Sequence, residues 1–337
     1  MVTIKDIAKK TGYSVTTVSK TLNNYPDISE KTKKIILKAA KEMGYLPNAT
    51  ARSLVTKKSW TIGVVFEEQT GVGITHPFFG RVLDKFKRYI EDQGYDLLFI
   101  SQSIAGRKDS SYYTHCKQKG VDGIIILCSF MDVEPIRQLI ESDIPSVIID
   151  HETPLTNCVY TNNYKAVYEA VEYLITLGHT KIGHIHGDLL SFVGIERYNG
   201  FRQALMDHLL SVRTDYLFHG ESYSITEGYE RGLEIARLKD RPTAIIAASD
   251  HLALGVMQAF HEVGIRVPED ISIIGFDDID LVNFIKPALT TIHQDKEKIA
   301  EAAAKSLINQ IEDRERPVES IVIDAKLIER DTVIKLN

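Results

Sequence analysis

Two sets of residues in this chain carry usable chemistry. The first is the run Ser14-Val15-Thr16-Thr17-Val18-Ser19-Lys20 with Asn23 just beyond it, which crowds hydroxyls, an amide and an ammonium together. At helical spacing Val15, Thr16, Ser19 and Lys20 share one face, while Val18 and Leu22 share the other. Such a face offers donors and acceptors to base edges and phosphate oxygens. The second set is dispersed: Phe78, Phe79, Ser129, Asp150, Asn162, Phe192, Arg197, Asp250 and Asp277. Carboxylates and an arginine fork accept from and donate to vicinal hydroxyls, and aromatic rings cover the apolar face of a pyranose.

Charge separates the two sets. Residues 1–60 hold eleven lysines and one arginine against two aspartates and two glutamates, a net +8, so the other 277 of the 337 residues carry −14. A basic module on an acidic body confines phosphate contacts to one end, where counterion release supplies affinity independent of sequence.

The elements needed to position the first set are legible. Ile4, Ile7 and Ala8 give a helix started by Thr3 with Asp6 three residues on, and it stops at Gly12. Ser14 caps a second helix through about Asn23, and Ser29 caps a third that buries Ile36, Ala39, Ala40 and Met43 and ends at Gly44. Two short helices joined by a tight glycine-containing turn form a helix-turn-helix, whose second helix enters the major groove. Residues 49–54 are good helix formers with too few apolar side chains to fold alone, a candidate for folding on a target.

The body alternates short apolar runs (Thr61–Phe66, Tyr95–Ile100, Gly123–Leu127, Ser146–Ile149, Lys181–Ile185, Thr243–Ala247 and Ile271–Gly275) with helical patterns such as Phe79–Gln93, Ala166–Leu177 and Leu252–Val263. That rhythm predicts an α/β fold of parallel sheets covered by helices, and its length predicts two lobes. The lobe change is expected near Tyr160–Asn163, with a return near Thr291–Gln294 that puts the helix Lys296–Ile311 on the first lobe and a third crossing near Asp324. In open α/β sheets a ligand sits beyond the carboxyl ends of the strands, where the second set of residues falls. Some have bland alternatives: Asp250 as a helix cap, Phe78 and Phe79 as core, Asn162 as a hinge contact.

The runs Thr-Ile-Lys-Asp-Ile-Ala (3–8), Ser-Val-Thr-Thr-Val-Ser-Lys (14–20), Gly-Tyr-Leu-Pro-Asn (44–48) and Ala-Arg-Ser-Leu (51–54) resemble the headpiece and hinge of the lactose-repressor/galactose-repressor family of bacterial transcription factors. The body resembles that family's effector core, which shares its fold with periplasmic sugar-binding proteins, through His76-Pro-Phe-Phe79, Leu177-Gly-His-Thr-Lys-Ile-Gly183, Glu196-Arg-Tyr-Asn-Gly-Phe201, Ile274-Gly-Phe-Asp277 and Pro287-Ala-Leu-Thr-Thr-Ile-His-Gln294. The resemblance implies an all-α helix-turn-helix headpiece at 1–46, a hinge helix or linker at 47–58, a first lobe of 59–161 plus 293–323 and a second of 162–292 plus 324–337. It implies base-reading roles for Val15, Thr16 and Lys20, and phosphate contacts for Ser14, Thr17, Ser19, Asn23, Tyr45 and Asn48. Arg52 joins the DNA-binding set, and Leu54 matches a leucine wedged into the minor groove. Arg197 and Asp277 match effector-contacting positions most closely. Where purine-binding members carry an arginine and a threonine, this chain has Ser191 and Val193 flanking Phe192, which disfavours a purine; a small carbohydrate or sugar phosphate is the expected effector.

Other chemistries fit poorly. Gly71-Val-Gly73 lacks the third glycine of a dinucleotide cradle, that position being His76. His184 and His186 share a strand face without a third ligand at metal spacing, so no metal and no cofactor are expected. Cys116, Cys128 and Cys158 are odd in number and show no C-x-x-C spacing, which suggests reduced thiols. With no leader-like segment and no long apolar stretch, a cytoplasmic protein without membrane association is expected. The partners expected are double-stranded operator DNA, a small-molecule effector and a second copy in a homodimer, since no leucine heptads follow the last strand. The functions in view are a regulator controlled by a carbohydrate, the same regulator sensing a nucleoside or purine or a protein corepressor, and a periplasmic-type sugar-binding protein. An enzyme is not expected.

Overall fold

The computed structural model describes residues 2–23, 25–45, 58–67, 73–102, 111–128 and 133–336. They form two units, residues 1–60 and 61–337.

In the first unit, α1 (Ile4–Thr11) begins at a reciprocal cap: the Thr3 side chain accepts from the Asp6 N–H, and the Asp6 carboxylate accepts from the Thr3 N–H at 2.9 Å. Gly12 ends it at φ 74, a left-handed conformation that glycine takes without a Cβ clash. Ser14 and Ser29 cap α2 (Val15–Leu22) and α3 (Glu30–Glu42) through the N–H groups of Thr17 and Thr32. Ile7, Ala8, Val18, Ile36 and Ala40 form the core, with Leu22, Met43 and Tyr45 packed against it. Met43, expected inside, is only partly buried because it is the C-cap of α3 and lies at the rim.

The second unit holds two six-stranded sheets. The first runs β11-β5-β4-β3-β1-β2 and is parallel throughout, with β1 (Thr61–Glu67), β2 (Asp96–Phe99), β3 (Gly123–Cys128), β4 (Ser146–Ile149), β5 (Asn157–Thr161) and β11 (Ser320–Ile323). The second runs β12-β10-β9-β8-β6-β7, with β6 (Ile182–His186), β7 (Leu217–His219), β8 (Ala244–Ala247), β9 (Ser272–Asp277), β10 (Thr290–His293) and β12 (Lys326–Ile328); only β12 pairs antiparallel. β3 is buried at every residue, as a strand covered by helices on both faces requires.

The chain passes between the sheets after Thr161, after His293 and after Ile323, and the helix Lys296–Glu312 packs on β3, β4 and β5. Side chains lace these passages together. The Thr161 hydroxyl donates to Gln294 Oε1 at 2.6 Å, and Asn162 Nδ2 donates to Asp324 Oδ1 at 3.2 Å. The strands β5, β7, β10, β11 and β12 have no counterpart among the apolar runs, though a lobe return was expected beside β10 near Thr291–Gln294. β7 and β12 have three residues each, β11 alternates exposed and half-buried positions, and β5 opens on Asn157 and closes on Thr161.

Candidate functional site

On α2 the exposed face carries Ser14, Val15 and Thr16, with Val15 40% exposed although apolar. Thr17 and Ser19 are half-buried beside it. The hydroxyls of Ser14 and Thr17 lie 2.9 Å apart, and Asn23 Nδ2 donates to the Ser19 carbonyl at 2.9 Å, so both ends of the helix are closed by its own side chains. Lys20 pairs with Asp27, and Tyr45 leans on the headpiece core. Asn48, Arg52, Leu54 and the expected hinge helix lie outside the described residues, as does Ser129.

In the second unit three of the expected residues, two at the carboxyl ends of strands and one on a helix, come to the lobe boundary. Asp150 directly follows β4 and Asp277 ends β9. Arg197 projects from the helix Phe192–Asp207, where its Nε donates to Asn163 Oδ1 at 2.8 Å and its Nη1 to the Ala248 carbonyl at 2.6 Å. Its guanidinium lies 3.6 Å from the Phe276 ring centre, an arrangement that leaves Nη2 outside these bonds. Asp277 Oδ1 accepts from Gln294 Nε2 at 2.6 Å, which ties this carboxylate to the lobe passages.

Asp150 is buried, and its Oδ1 has no hydrogen-bond partner. Burial pushes its carboxyl up to about 7; Arg197 opposes the rise and Asp277 adds to it. Tyr223, which follows β7, likewise buries a hydroxyl without a well-formed partner, and a Cβ on Gly187 would lie 1.8 Å from it. A buried polar group without a partner costs about 1–3 kcal/mol, and both of these groups feel the charges of Arg197 and Asp277. Backbone conformation agrees: of the six non-glycine residues with positive φ among the described residues, Asp150, Tyr223, Asp277 and Asp278 belong to this boundary.

The remaining expected residues have other attachments. Phe192 opens its helix and reaches across the lobes, its ring 5.1 Å from Tyr160 in a T-shaped contact and 6.3 Å from His151. Phe78 and Phe79 are buried side by side, and Phe79 also packs edge-on against Phe66 at 5.9 Å. Asn162 caps the helix Asn163–Thr176 and holds Asp324, a hinge position. Asp250 is not the cap of its helix; Ser249 is, because its side chain is the one that accepts from Leu252 N–H. Both Asp250 oxygens are engaged inside the second lobe, Oδ1 with the Thr291 hydroxyl at 2.5 Å and Oδ2 with Ile279 N–H at 2.9 Å. Burial, then Asp277, raises its carboxyl to about 8.

Sequence reading missed Tyr223, Asn163 and Gln294. Tyr223 trails a strand too short to announce itself, while Asn163 and Gln294 sit at the lobe changes, where a search for side chains that seal the hinge finds them. His184 and His186 are buried, with Nδ1 of each on a backbone carbonyl at 2.8 Å. The three cysteines lie buried in the first-lobe core, and burial raises Cys116 and Cys158 to about 12 and 11. Among the described residues no helix is long and apolar enough to cross a membrane.

Comparison with known proteins agrees with both units. Residues 3–48 match the family model for bacterial regulatory proteins of the lacI family, and residues 171–333 match a periplasmic binding protein-like domain. The HTH-type transcriptional repressor PurR of Vibrio vulnificus (strain CMCP6) is 34% identical over 341 residues, covering 100% of both chains. That of Yersinia pestis bv. Antiqua is 35% identical over 337 residues, covering 99% of this chain and 97% of the relative. Among solved structures, the lac repressor dimer bound to operator and the anti-inducer ONPF superposes with a TM-score of 0.84 at 25% identity, covering 99% of each chain. A LacI family regulator from Enterococcus faecium with bound ribose gives 0.70 at 27% identity, over 82% of this chain and 100% of the other. The headpiece, the paired parallel-sheet lobes and full-length relatives together place this chain in the lacI family of bacterial regulatory proteins, as a DNA-binding transcriptional repressor.

Proposed function

We propose that the chain binds a palindromic operator as a homodimer and that a small hydroxyl-rich molecule, a carbohydrate or sugar phosphate, sets its affinity by occupying the boundary around Asp150, Arg197, Tyr223 and Asp277. The observation that carries this reading is that Asp150 Oδ1, buried without a partner, and the Tyr223 hydroxyl, buried without a well-formed one, both lie within the charge field of Arg197 and Asp277. With Asp277 and the Arg197 fork they suit a ligand that both donates and accepts at adjacent atoms. Asn162, Phe78, Phe79, Phe192 and Asp250 stand around it as wall and hinge, Ser129 is assigned to the same site by its place in the sequence after β3, and the lobes divide as 59–161 plus 293–323 and 162–292 plus 324–337.

On the DNA side, Val15, Thr16 and Lys20 read bases. Ser14, Thr17, Ser19, Asn23, Tyr45, Asn48 and Arg52 hold phosphates, and Leu54 wedges the minor groove. Ligand-driven closure of the lobes is the switch, acting through the differential affinity of the two lobe arrangements. Pairing is supported by the lac repressor neighbour, which is a dimer, and by a second-lobe groove of about 500 Å³ whose apolar lining (Leu254, Met257, Ile265, Val267, Ile285 and Pro287) is interspersed with Gln258, His261, Arg266, Glu269 and Lys286. Phe284, beside it in sequence, is 82% exposed.

A purine effector is the second reading, favoured by the name PurR carried by the relatives. Against it, Ser191 and Val193 stand where purine-binding members of the family carry an arginine and a threonine, and the buried Ser191 hydroxyl caps its own helix, donating to the Asp188 carbonyl at 2.7 Å and accepting from Gly194 N–H. Thermal-shift measurements with ribose, hexoses, hexose phosphates, hypoxanthine and guanine decide between them, since a ligand that binds the native state raises its apparent stability. A shift with a sugar alone supports the first reading; a shift with a nucleobase alone replaces it by the second.

A further inference from the structure

We propose that Asp27 is a specificity-determining residue of the headpiece: it holds the ammonium of Lys20 away from phosphates of arbitrary sequence and yields it to a base edge. The proposal rests on Lys20 as a base reader. Residues 1–60 contain only four acidic side chains in a strongly basic module. Three are spent on the scaffold: Asp6 closes the cap of α1, Glu30 pairs with Lys33 within the first turn of α3, and Glu42 joins α3 to α1 through Lys10 at 3.1 Å. Asp27 alone is directed at α2, where its carboxylate meets Lys20 Nζ.

The backbone makes that meeting possible. Tyr25 N–H donates to the Lys20 carbonyl at 2.9 Å, which folds the α2–α3 connection back over the end of α2, and Pro26 restricts the turn that presents Asp27. The Lys20 and Asp27 side chains are 41% and 51% exposed, so the pair sits at the surface rather than in the core. The bond from Lys20 holds the Asp27 carboxyl below its ordinary value, which keeps it anionic at neutral pH.

A surface ion pair is weak and is exchanged for a better-held partner. On random DNA, Lys20 has only phosphates to gain, and moving to one uncovers a carboxylate beside the DNA. On a matching site, guanine O6 or N7 offers an acceptor at a fixed place in the major groove. Asp27 therefore lowers affinity for all sequences but least for the right one, and discrimination rises.

The test uses the full-length protein and fluorescence anisotropy on two duplexes, one of random sequence and one palindrome selected by the parent protein from a randomised library, across a salt series. Asp27→Asn should bind the random duplex about fivefold tighter, with a log–log salt slope steeper by about 1, one more phosphate contact, while the palindrome gains less than twofold. The same substitution in a Lys20→Ala background should lose most of that gain. An unchanged affinity and slope of Asp27→Asn on random duplex overturns the proposal, as does an equal gain with and without Lys20, which is simple removal of a negative charge. Lys20→Ala losing equally on both duplexes is a different result and removes the base-reading role on which the proposal rests.

Discussion

Replacing Asp150 by asparagine should make the unliganded protein more stable at neutral and alkaline pH and worse at binding its effector. A rise of the Asp150 carboxyl from its ordinary 3.8 to about 7 disfavours the ionised form by roughly 4 kcal/mol in the empty fold. The attraction of Arg197 is already included in that value. Because the folded state holds the proton more tightly than the unfolded chain, this contribution to stability is fully present below about pH 4 and is lost as pH rises through about 7. Asparagine does not ionise. Urea midpoints of parent and variant should therefore coincide near pH 4 and diverge up to about pH 7, with the variant ahead by as much as about 4 kcal/mol. Ligand affinity should move the other way, since a hydrogen bond to a charged acceptor contributes about 1.5–3 kcal/mol, roughly 10- to 150-fold in Kd. Parallel stability profiles from pH 4 to 8 would refute the burial argument, and unchanged affinity would remove Asp150 from the effector site.

Arg197→Ala should weaken effector binding by about 2–4 kcal/mol and also lower the urea midpoint, because the Asn163 side chain and the Ala248 carbonyl lose their donors; normal affinity by calorimetry would reduce Arg197 to a latch. Phe192→Ala should remove the cross-lobe aromatic contact with Tyr160, worth about 0.5–1.5 kcal/mol beyond buried area. Small-angle scattering should then show a larger radius of gyration without ligand, and an unchanged radius contradicts this. Leu54→Ala should weaken binding to a selected palindrome and leave random-duplex affinity nearly intact, since the wedge is lost while cationic contacts survive; equal losses in footprinting rule out the wedge.

The headpiece was legible because its signals are local. Thr3 with Asp6, Gly12, Ser14 and Ser29 terminate helices by chemistry that depends on neighbours in sequence, and Ile7, Val18 and Ile36 follow the helical period. The central strands were legible as continuous apolar runs, whereas β7, β11 and β12 are too short or too exposed to bury such a run. Within the site, Asp150, Arg197 and Asp277 follow from strand ends and local motifs. What escaped depends on tertiary contact. Asp250 has both oxygens engaged by Thr291 and Ile279, which no local pattern announces, and Asn163 and Gln294 matter because they bond across at the lobe passages, whereas Tyr223 trails the short strand β7.

The most direct measurement follows operator binding as the boundary between the lobes is filled. A fluorescent palindromic duplex selected by the parent protein is titrated with full-length parent and with Arg197→Ala, each with and without a saturating concentration of the small molecule that raises the parent's melting temperature. The parent's operator affinity should change at least tenfold, about 1.4 kcal/mol of coupling, with little change in the variant, whose affinity without ligand matches the parent's. Binding of the small molecule with no effect on DNA affinity, or an equal effect in parent and variant, would contradict it.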